Sequence, residues 1–189
     1  ETSFKYHASC RHTHPAADAL LHVMQTHGLK LDDLAQVVTH VHQGAIDVLG
    51  PVVRPTTVHQ SKFSMGTVLA LVAQHGHAGL TEFDRDFLSQ QTQALRDKVS
   101  MELDAEVDGA YPKRWIGKVT VTTTDGRVLH GRVDEPKGDP GNTLSRQEIT
   151  DKALRLAAFS GGAKPDAMGR AVDALWQVAS WPKVGALLS

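Results

Sequence analysis

The feature that most restricts the fold is a pair of alternating segments on either side of an Asp-Gly dipeptide. Residues 118–123 and 127–133 alternate polar and apolar positions, and Asp125-Gly126 lies between them. Glycine supplies the positive φ that a tight turn requires, so Asp-Gly between β-rich segments is a strong hairpin signal. We therefore predict two antiparallel strands joined by this turn.

Two further segments have the composition of strands. Residues 34–42 are rich in β-branched side chains, and residues 98–104 place Val99, Met101 and Leu103 on one side. Period-two alternation turns one face of a strand towards a core and the other towards solvent. These segments are therefore predicted to join the hairpin in a sheet.

Helical periodicity separates these strands. Apolar positions recur at helical spacing over 15–27, and Gly28 follows where a left-handed C-cap belongs. Residues 68–76 are apolar on most faces, which predicts a buried helix. A weaker pattern predicts one helix over 81–97. Its apolar stripe comprises Phe83, Phe87, Leu88 and Leu95.

Two helices are predicted after a loop at 135–142 that is rich in Gly and Pro. Ser145 and Glu148 form a capping box for a helix that ends at Gly161, and the last helix covers 165–180. No Gly-Lys-Ser/Thr sequence follows the loop, so a phosphate loop is not predicted. The inward residues are expected to be Ile149, Ala153, Leu156, Phe159, Met168, Val172, Leu175 and either Val178 or Ala179.

The order of these elements favours an α+β fold. Helices and strands do not alternate strictly, so an antiparallel sheet covered by helices on one face is the most economical packing. With 189 residues, of which 41% are apolar, the chain is long enough to bury a core. We predict a single α+β domain over 1–189 whose antiparallel sheet contains a β-hairpin.

Composition excludes several functional classes. The chain has 20 basic and 21 acidic side chains, without the excess positive charge that nucleic-acid binding requires. Its single Cys allows no internal disulfide and no Cys-based zinc site, so we expect a cytoplasmic location. The longest apolar run, 68–73, is too short to cross a bilayer, and no membrane partner is predicted. Because the chain begins with Glu rather than Met, we expect a natural segment to precede it.

The richest concentration of reactive side chains lies at 4–15, just before the first predicted helix. This stretch contains one Lys, one Arg, three His and the only Cys of the chain. One interpretation is a solvated helix start with Thr13 as N-cap. The other is an anion site, since cationic groups beside a helix N-terminus can bind a carboxylate or phosphate. The candidate groups for such a site are the Lys, the Arg and the His side chains, among them Lys5, Arg11, His12 and His14.

His40 and His42 form a second pair of interest. They are two residues apart and would share one strand face, a spacing that can hold a metal ion. No third ligand follows in a recognisable pattern, so no metal site is predicted.

Three separated motifs resemble one known family. They are Lys5 through Cys10 to His14 with Pro15 and Asp18, Lys-Phe-Ser-Met at 62–65, and Pro-Lys-Gly-Asp-Pro at 136–140 before the capping box. In order and spacing they resemble the C-terminal domain of the MmgE/PrpD family. That family includes 2-methylcitrate dehydratase, cis-aconitate decarboxylase and iminodisuccinate epimerase. The resemblance extends over nearly the whole chain.

The resemblance implies an architecture and a chemistry. Family members have a larger all-helical domain followed by a smaller α+β lid, with substrate between them, and only the lid is present here. The implied reaction is metal-independent proton transfer beside a carboxylate of a small polycarboxylate, without a cofactor. A helical N-terminal domain or chain is the expected partner, and a homo-oligomer is the expected assembly. Alone, this chain is expected to be inactive.

The resemblance also implies roles for residues. The family's lid contributes a Lys to the substrate pocket, and Lys5 matches that position. Cys10 matches a second pocket position, and His14 is the His of the motif. Cationic groups are useful only where they converge on one carboxylate, so we expect Lys5 to lie near another candidate. The further candidates for binding substrate are Arg11, His12 and Lys62.

Two positions depart from the family pattern. Gly66 stands where some dehydratases and decarboxylases have Tyr, and Cys10 stands where decarboxylases have His. Both argue against decarboxylation or methylcitrate dehydration specifically. Lys62 has a second interpretation, as a helix-start residue whose stem packs on apolar surface. The chain as a whole also has an alternative interpretation, as a non-catalytic interaction or oligomerisation module that needs a helical partner.

Overall fold

The structure is a computed structural model that describes residues 2–183 and 185. It divides into two compact units, Glu1–Thr143 and Leu144–Ser189, which are described separately below. The single domain expected from the sequence therefore stays a prediction. Among the described residues, none of the helices is both long enough and apolar enough to cross a membrane.

The first unit contains a four-stranded sheet. Its strands are Leu34–Val41 (β1), Val99–Leu103 (β2), Gly117–Thr123 (β3) and Val128–Val133 (β4). They lie in the order β2-β1-β3-β4. β3 pairs antiparallel with β4 through the Asp125-Gly126 turn, so the predicted hairpin is confirmed.

Helices fill the segments before and between these strands. α1 ends as predicted at Gly28, which has a φ of 62° and donates its N–H to the carbonyl of Met24. The helices of the described first unit are His14–His27 (α1), Gln43–Leu49 (α2), Val58–Ser61 (α3), Met65–His75 (α4), Leu80–Asp86 (α5), Gln90–Arg96 (α6) and Ala105–Ala110 (α7).

The expectation of a purely antiparallel sheet is wrong for one pair of strands. β1 and β2 run parallel, with Val37 beside Val99 and Val41 beside Leu103. The connection between them contains α2 to α6, and this long path returns the chain to the end of the sheet where β1 began. The sheet is therefore mixed, and the α+β class is confirmed.

The helices differ from the prediction in four places. The single helix expected over 81–97 is two helices, because Ser89 leaves the helical path and accepts the N–H of Thr92 as the N-cap of α6. Leu88 lies at this break and is 50% exposed, so its assignment to an apolar stripe was wrong. The short helices α2, α3 and α7 were not predicted.

The core lies between one face of the sheet and two helices. α1 packs on the β3–β4 hairpin and α4 packs beside α1 and β2, with α4 buried as predicted. Gly131 of β4 allows the close approach of α1, since a Cβ at this position would lie 2.6 Å from the carbonyl oxygen of Ala19. This packing fixes the start of α1, and with it the stretch that the sequence identified as a candidate site.

The second unit contains helices Arg146–Ser160 (α8) and Pro165–Gln177 (α9), followed by a 3₁₀ turn over Val178–Ser180. The predicted capping box is confirmed, because the Ser145 N–H donates to Glu148 and the Glu148 N–H donates to Ser145. The predicted inward face is only partly correct, although Val172 is buried. Leu156, Phe159 and Leu175 are 41%, 46% and 51% exposed, since the two helices alone enclose no complete core.

Candidate functional site

The segment before α1 is irregular but is bound to the rest of the fold by backbone hydrogen bonds. The Ala8 N–H donates to the carbonyl of Ala78 at 2.7 Å, and the Cys10 N–H donates to the carbonyl of Lys62 at 2.9 Å. Residue 78 follows α4 and residue 62 follows α3. Two distant parts of the chain therefore determine the path of the candidate motif.

Lys5 presents an exposed ammonium group. Its Nζ donates to the carbonyl oxygen of Ser9 at 3.3 Å. Among the described residues, no carboxylate lies within ion-pair distance of this Nζ. An ammonium group without a carboxylate partner can bind the carboxylate of a ligand.

Lys5 and Lys62 approach the same peptide group from its two ends. The carbonyl of the Ser9–Cys10 peptide accepts from Lys5, and the N–H of that peptide donates to the Lys62 carbonyl. The Lys62 ammonium lies 5.9 Å from the centre of the Phe83 ring, a cation–π distance. Cys10 is half-buried and its thiol is free. The structure thus places the Lys5 side chain, Cys10 and the backbone of Lys62 in one region, whereas the Lys62 ammonium lies over Phe83.

His14 lies behind this region, inside the core. It is 3% exposed, and its Nε2 has no hydrogen-bond partner among the described residues. Burial lowers the pKa of His14 to about 3, with a further lowering from His7 and from the cations Lys5 and Arg11, which the Ser9 carbonyl partly opposes. The ring is therefore neutral at physiological pH, and only its packing and its uncharged nitrogens are available to a reaction.

His7 is a buried residue that the sequence did not single out. Its Nδ1 accepts the Ala78 N–H at 3.2 Å, so the ring proton lies on Nε2, which donates to Asp18 Oδ1 at 3.3 Å. The other carboxylate oxygen of Asp18 accepts the Lys137 N–H at 2.6 Å. Asp18 was part of the recognised motif, but its partners come from separate loops, and nothing in the local pattern of His7 indicated them.

Arg11 binds elsewhere. Its Nη2 donates to both carboxylate oxygens of Asp139, at 2.6 and 2.5 Å, and its guanidinium carbon lies 4.6 Å from the centre of the Trp115 ring. These groups line a cleft of about 290 Å³ whose wall includes neither Lys5 nor Lys62. The guanidinium is thus already paired with a carboxylate of the protein.

The His12 side chain also lies away from Lys5, against His42. The Ala45 N–H donates to His42 Nδ1, so His42 carries its proton on Nε2 and donates it to His12 Nδ1 at 3.2 Å. The His42 ring stacks on Tyr111, with ring centres 3.8 Å apart. Burial lowers the pKa of both histidines, and His12 lowers that of His42 further, which Asp108 partly opposes.

His40 and His42 have different partners in the structure. His42 is the N-cap of α2, whereas His40 Nε2 is hydrogen-bonded to Thr120 Oγ1 at 2.9 Å on the sheet. Within residues 2–183 and 185, no group of at least three His, Cys, Asp or Glu side chains is arranged to hold a metal ion.

Position 66 has no room for a tyrosine side chain. A Cβ on Gly66 would lie 2.7 Å from the Arg96 carbonyl oxygen and 2.9 Å from its Cγ. The next residue, Thr67, is fully buried and donates its hydroxyl to Ser64. This helix start therefore places no aromatic hydroxyl near the candidate site.

The fold and the site together define an α+β domain in which Lys5, near the start of α1, has no carboxylate partner among the described residues. The family model of the MmgE/PrpD C-terminal domain matches residues 7–178. The chain therefore belongs to the MmgE/PrpD family and corresponds to its C-terminal domain. Lys5 lies two residues before the matched range, whereas Cys10, His14 and Lys62 lie within it. No curated protein matches the chain.

Proposed function

We propose that this chain is the lid domain of a lyase or isomerase that acts on a small polycarboxylate. The reaction would be metal-independent proton transfer on a carbon next to a carboxylate, with a helical domain supplying the groups that move the proton. Membership of the MmgE/PrpD family supports this class of reaction. The single observation on the site that carries the proposal is the Lys5 ammonium, which lacks a carboxylate partner among the described residues.

Lys5 would bind one substrate carboxylate by a charge-assisted hydrogen bond. Removal of a proton beside that carboxylate places negative charge on its oxygens, so a fixed ammonium there stabilises the transition state more than the ground state. Lys62 would bind a second carboxylate if its side chain turned from Phe83. Cys10 would contact substrate between the two cations, and His14 would line the pocket from behind as a neutral ring.

Malonate titration of the isotope-labelled chain, followed by NMR, tests the binding part of this proposal. Malonate should shift the amide signals of Lys5 and Ser9 in a saturable way. The Lys5→Ala variant should weaken this binding about tenfold or more, which is the usual loss when one charge-assisted hydrogen bond is removed. Lys30→Ala, at an exposed lysine before β1, is the matched control and should bind as the unmodified chain does. Equal malonate affinity in both variants would refute the role of Lys5.

An interaction module is the second candidate function. Exposed apolar side chains on α8 and α9, including Phe159 and Leu175, favour it because such surface is costly in water. Malonate binding at Lys5 discriminates between the two, since an interaction module has no reason to bind a dicarboxylate there.

A further inference from the structure

The first contact of the Lys5 segment is with a turn centred on Gly138. The Phe4 N–H donates to the Gly138 carbonyl at 2.8 Å. Gly138 has a φ of 97°, and a Cβ at this position would lie 1.9 Å from the Phe4 carbonyl oxygen. Glycine is therefore required here for two reasons, the positive φ and the close approach of the Phe4 backbone.

The same turn is bound to α1 through Asp18. One oxygen of this carboxylate accepts the Lys137 N–H, and the other accepts the Nε2 proton of the buried His7. His7 cannot exchange its tautomer without losing the Ala78 N–H that its Nδ1 accepts. Asp18 thus joins the turn, the first part of α1 and the segment that carries Lys5.

The turn is also rigid within itself. The Gly138 N–H donates to the Asn142 carbonyl at 2.8 Å, and the Asp139 N–H donates to the Pro136 carbonyl at 3.1 Å. The side chain of Asp139 in addition holds Arg11, which follows the segment. The 136–139 turn therefore contacts the chain on both sides of Lys5.

We propose that Gly138 and Asp18 are positioning residues for Lys5. Lys5 is one residue from the Phe4–Gly138 hydrogen bond and two residues from His7, so these contacts determine where its Cα lies. The ammonium itself has one described hydrogen bond, to Ser9, which is too little to fix a long side chain alone. The catalytic meaning of this placement rests on the proposed function, whereas the placement itself does not.

Gly138→Ala tests the placement, with Gly126→Ala as the matched control. Gly126 has a φ of 87°, but a Cβ there meets nothing within 4 Å. Both variants carry the strain of a positive φ, and only Gly138→Ala also displaces Phe4. Hydrogen exchange measured by NMR should show the Phe4 amide exchanging about tenfold faster or more in Gly138→Ala. It should be unchanged in Gly126→Ala. An unchanged Phe4 amide in folded Gly138→Ala overturns the proposal.

A second variant decides the case if Gly138→Ala fails to fold. Asp18→Ala removes both hydrogen bonds of the carboxylate without changing the turn itself. The Phe4 and Lys137 amides should both exchange faster, while the Gly126 amide in the hairpin turn should not. Retained protection of Phe4 in Asp18→Ala would then overturn the proposal.

A double-mutant cycle separates positioning from a general loss of structure. In the malonate titration, Gly138→Ala should lower affinity in the presence of Lys5 and have no further effect in Lys5→Ala, because its effect acts through Lys5. Additive losses would contradict a positioning role. If Phe4 exchange responds but Lys5→Ala leaves malonate binding intact, the placement stands and the proposed function fails.

Discussion

Acid should destabilise this domain through His14, and the structure sets the size of the effect. Burial lowers the pKa of His14 to about 3 in the folded chain, against 6.5 as the ordinary value. Below pH 6.5 the unfolded chain therefore binds a proton on His14, whereas the folded chain does not bind it until the pH approaches 3. Stability is complete above pH 6.5 and is lost as pH falls towards 3.

The full difference in pKa corresponds to about 5 kcal/mol, at 1.36 kcal/mol per pKa unit. Between pH 7.5 and pH 5 the loss due to His14 should be about 2 kcal/mol. His12 and His42 act in the same direction because burial also lowers their pKa values. The contribution of His14 must therefore be isolated by a variant.

Urea unfolding at several pH values, with the chain unmodified and as His14→Phe, measures this contribution. The apolar ring should be tolerated because His14 Nε2 has no partner among the described residues, and only the hydrogen bond of the ring to the Ser9 carbonyl is lost. The free energy of unfolding of His14→Phe should fall about 2 kcal/mol less between pH 7.5 and pH 5. His22→Gln, at an exposed position of α1, should keep the pH dependence of the unmodified chain. A pH dependence that is equal in all three proteins would refute the reasoning.

Three smaller predictions concern other parts of the first unit. Gly131→Ala should reduce the free energy of unfolding by about 1–3 kcal/mol, since its Cβ would collide with the Ala19 carbonyl, and urea unfolding measures this loss. His42→Ala removes the N-cap of α2 and should cost about 1 kcal/mol in the same assay. The hydrogen bond from Arg132 lowers the pKa of Glu106 to about 2. Glu106→Gln should therefore lose part of the stability that the unmodified chain has above pH 4.5, and unfolding at high salt should reduce the difference.

Each of these three has an outcome that counts against it. Gly109→Ala is the control for Gly131→Ala, because a Cβ at Gly109 meets nothing within 4 Å and neither glycine has a positive φ. Equal losses in the two variants would exclude the collision with α1 as the cause. His42→Asn keeps a capping side chain and should recover most of the loss seen in His42→Ala. A Glu106→Gln variant whose stability relative to the unmodified chain does not change between pH 7 and pH 3 would show that the ion pairs contribute nothing.

The hairpin was predictable because its information is local. Two local signals agree on the hairpin and lie within a few residues of each other. They are the alternation of 118–123 and 127–133 and the Asp125-Gly126 turn between them. The direction of β2 was not predictable in this way, because it depends on the path of α2 to α6 between the two strands. Sequence patterning identifies the strand but not the end from which it enters the sheet.

The helices that were missed are short. α2, α3 and α7 have seven, four and six residues, too few to repeat an apolar position often enough for a periodic signal. Their start signals were present in the sequence, since Asp104 caps α7 by accepting the N–H groups of Glu106 and Val107. His42 is an uncommon N-cap, and its role depends on the neutral ring that burial favours.

The candidate site was predictable in composition but not in arrangement. The sequence identified Lys5 and Lys62, but the structure brings only the Lys5 ammonium and the backbone carbonyl of Lys62 to the Ser9–Cys10 peptide. Nothing local indicated that Arg11 would pair with Asp139, because that contact joins residues 128 positions apart. The same holds for His7, whose partners are defined only once α1 and α4 have packed.

The most direct test of the proposed function is turnover by the chain combined with a helical N-terminal domain of the MmgE/PrpD family, which the proposal requires as a partner. Solvent deuterium incorporation beside a carboxylate, measured over a panel of small polycarboxylates, reports the proposed proton transfer. We expect no incorporation by the 189-residue chain alone, incorporation by the combined protein, and a loss of about tenfold or more in kcat/KM for Lys5→Ala but not for Lys30→Ala. Unchanged kcat/KM in Lys5→Ala, or robust incorporation by the chain alone, would contradict the account.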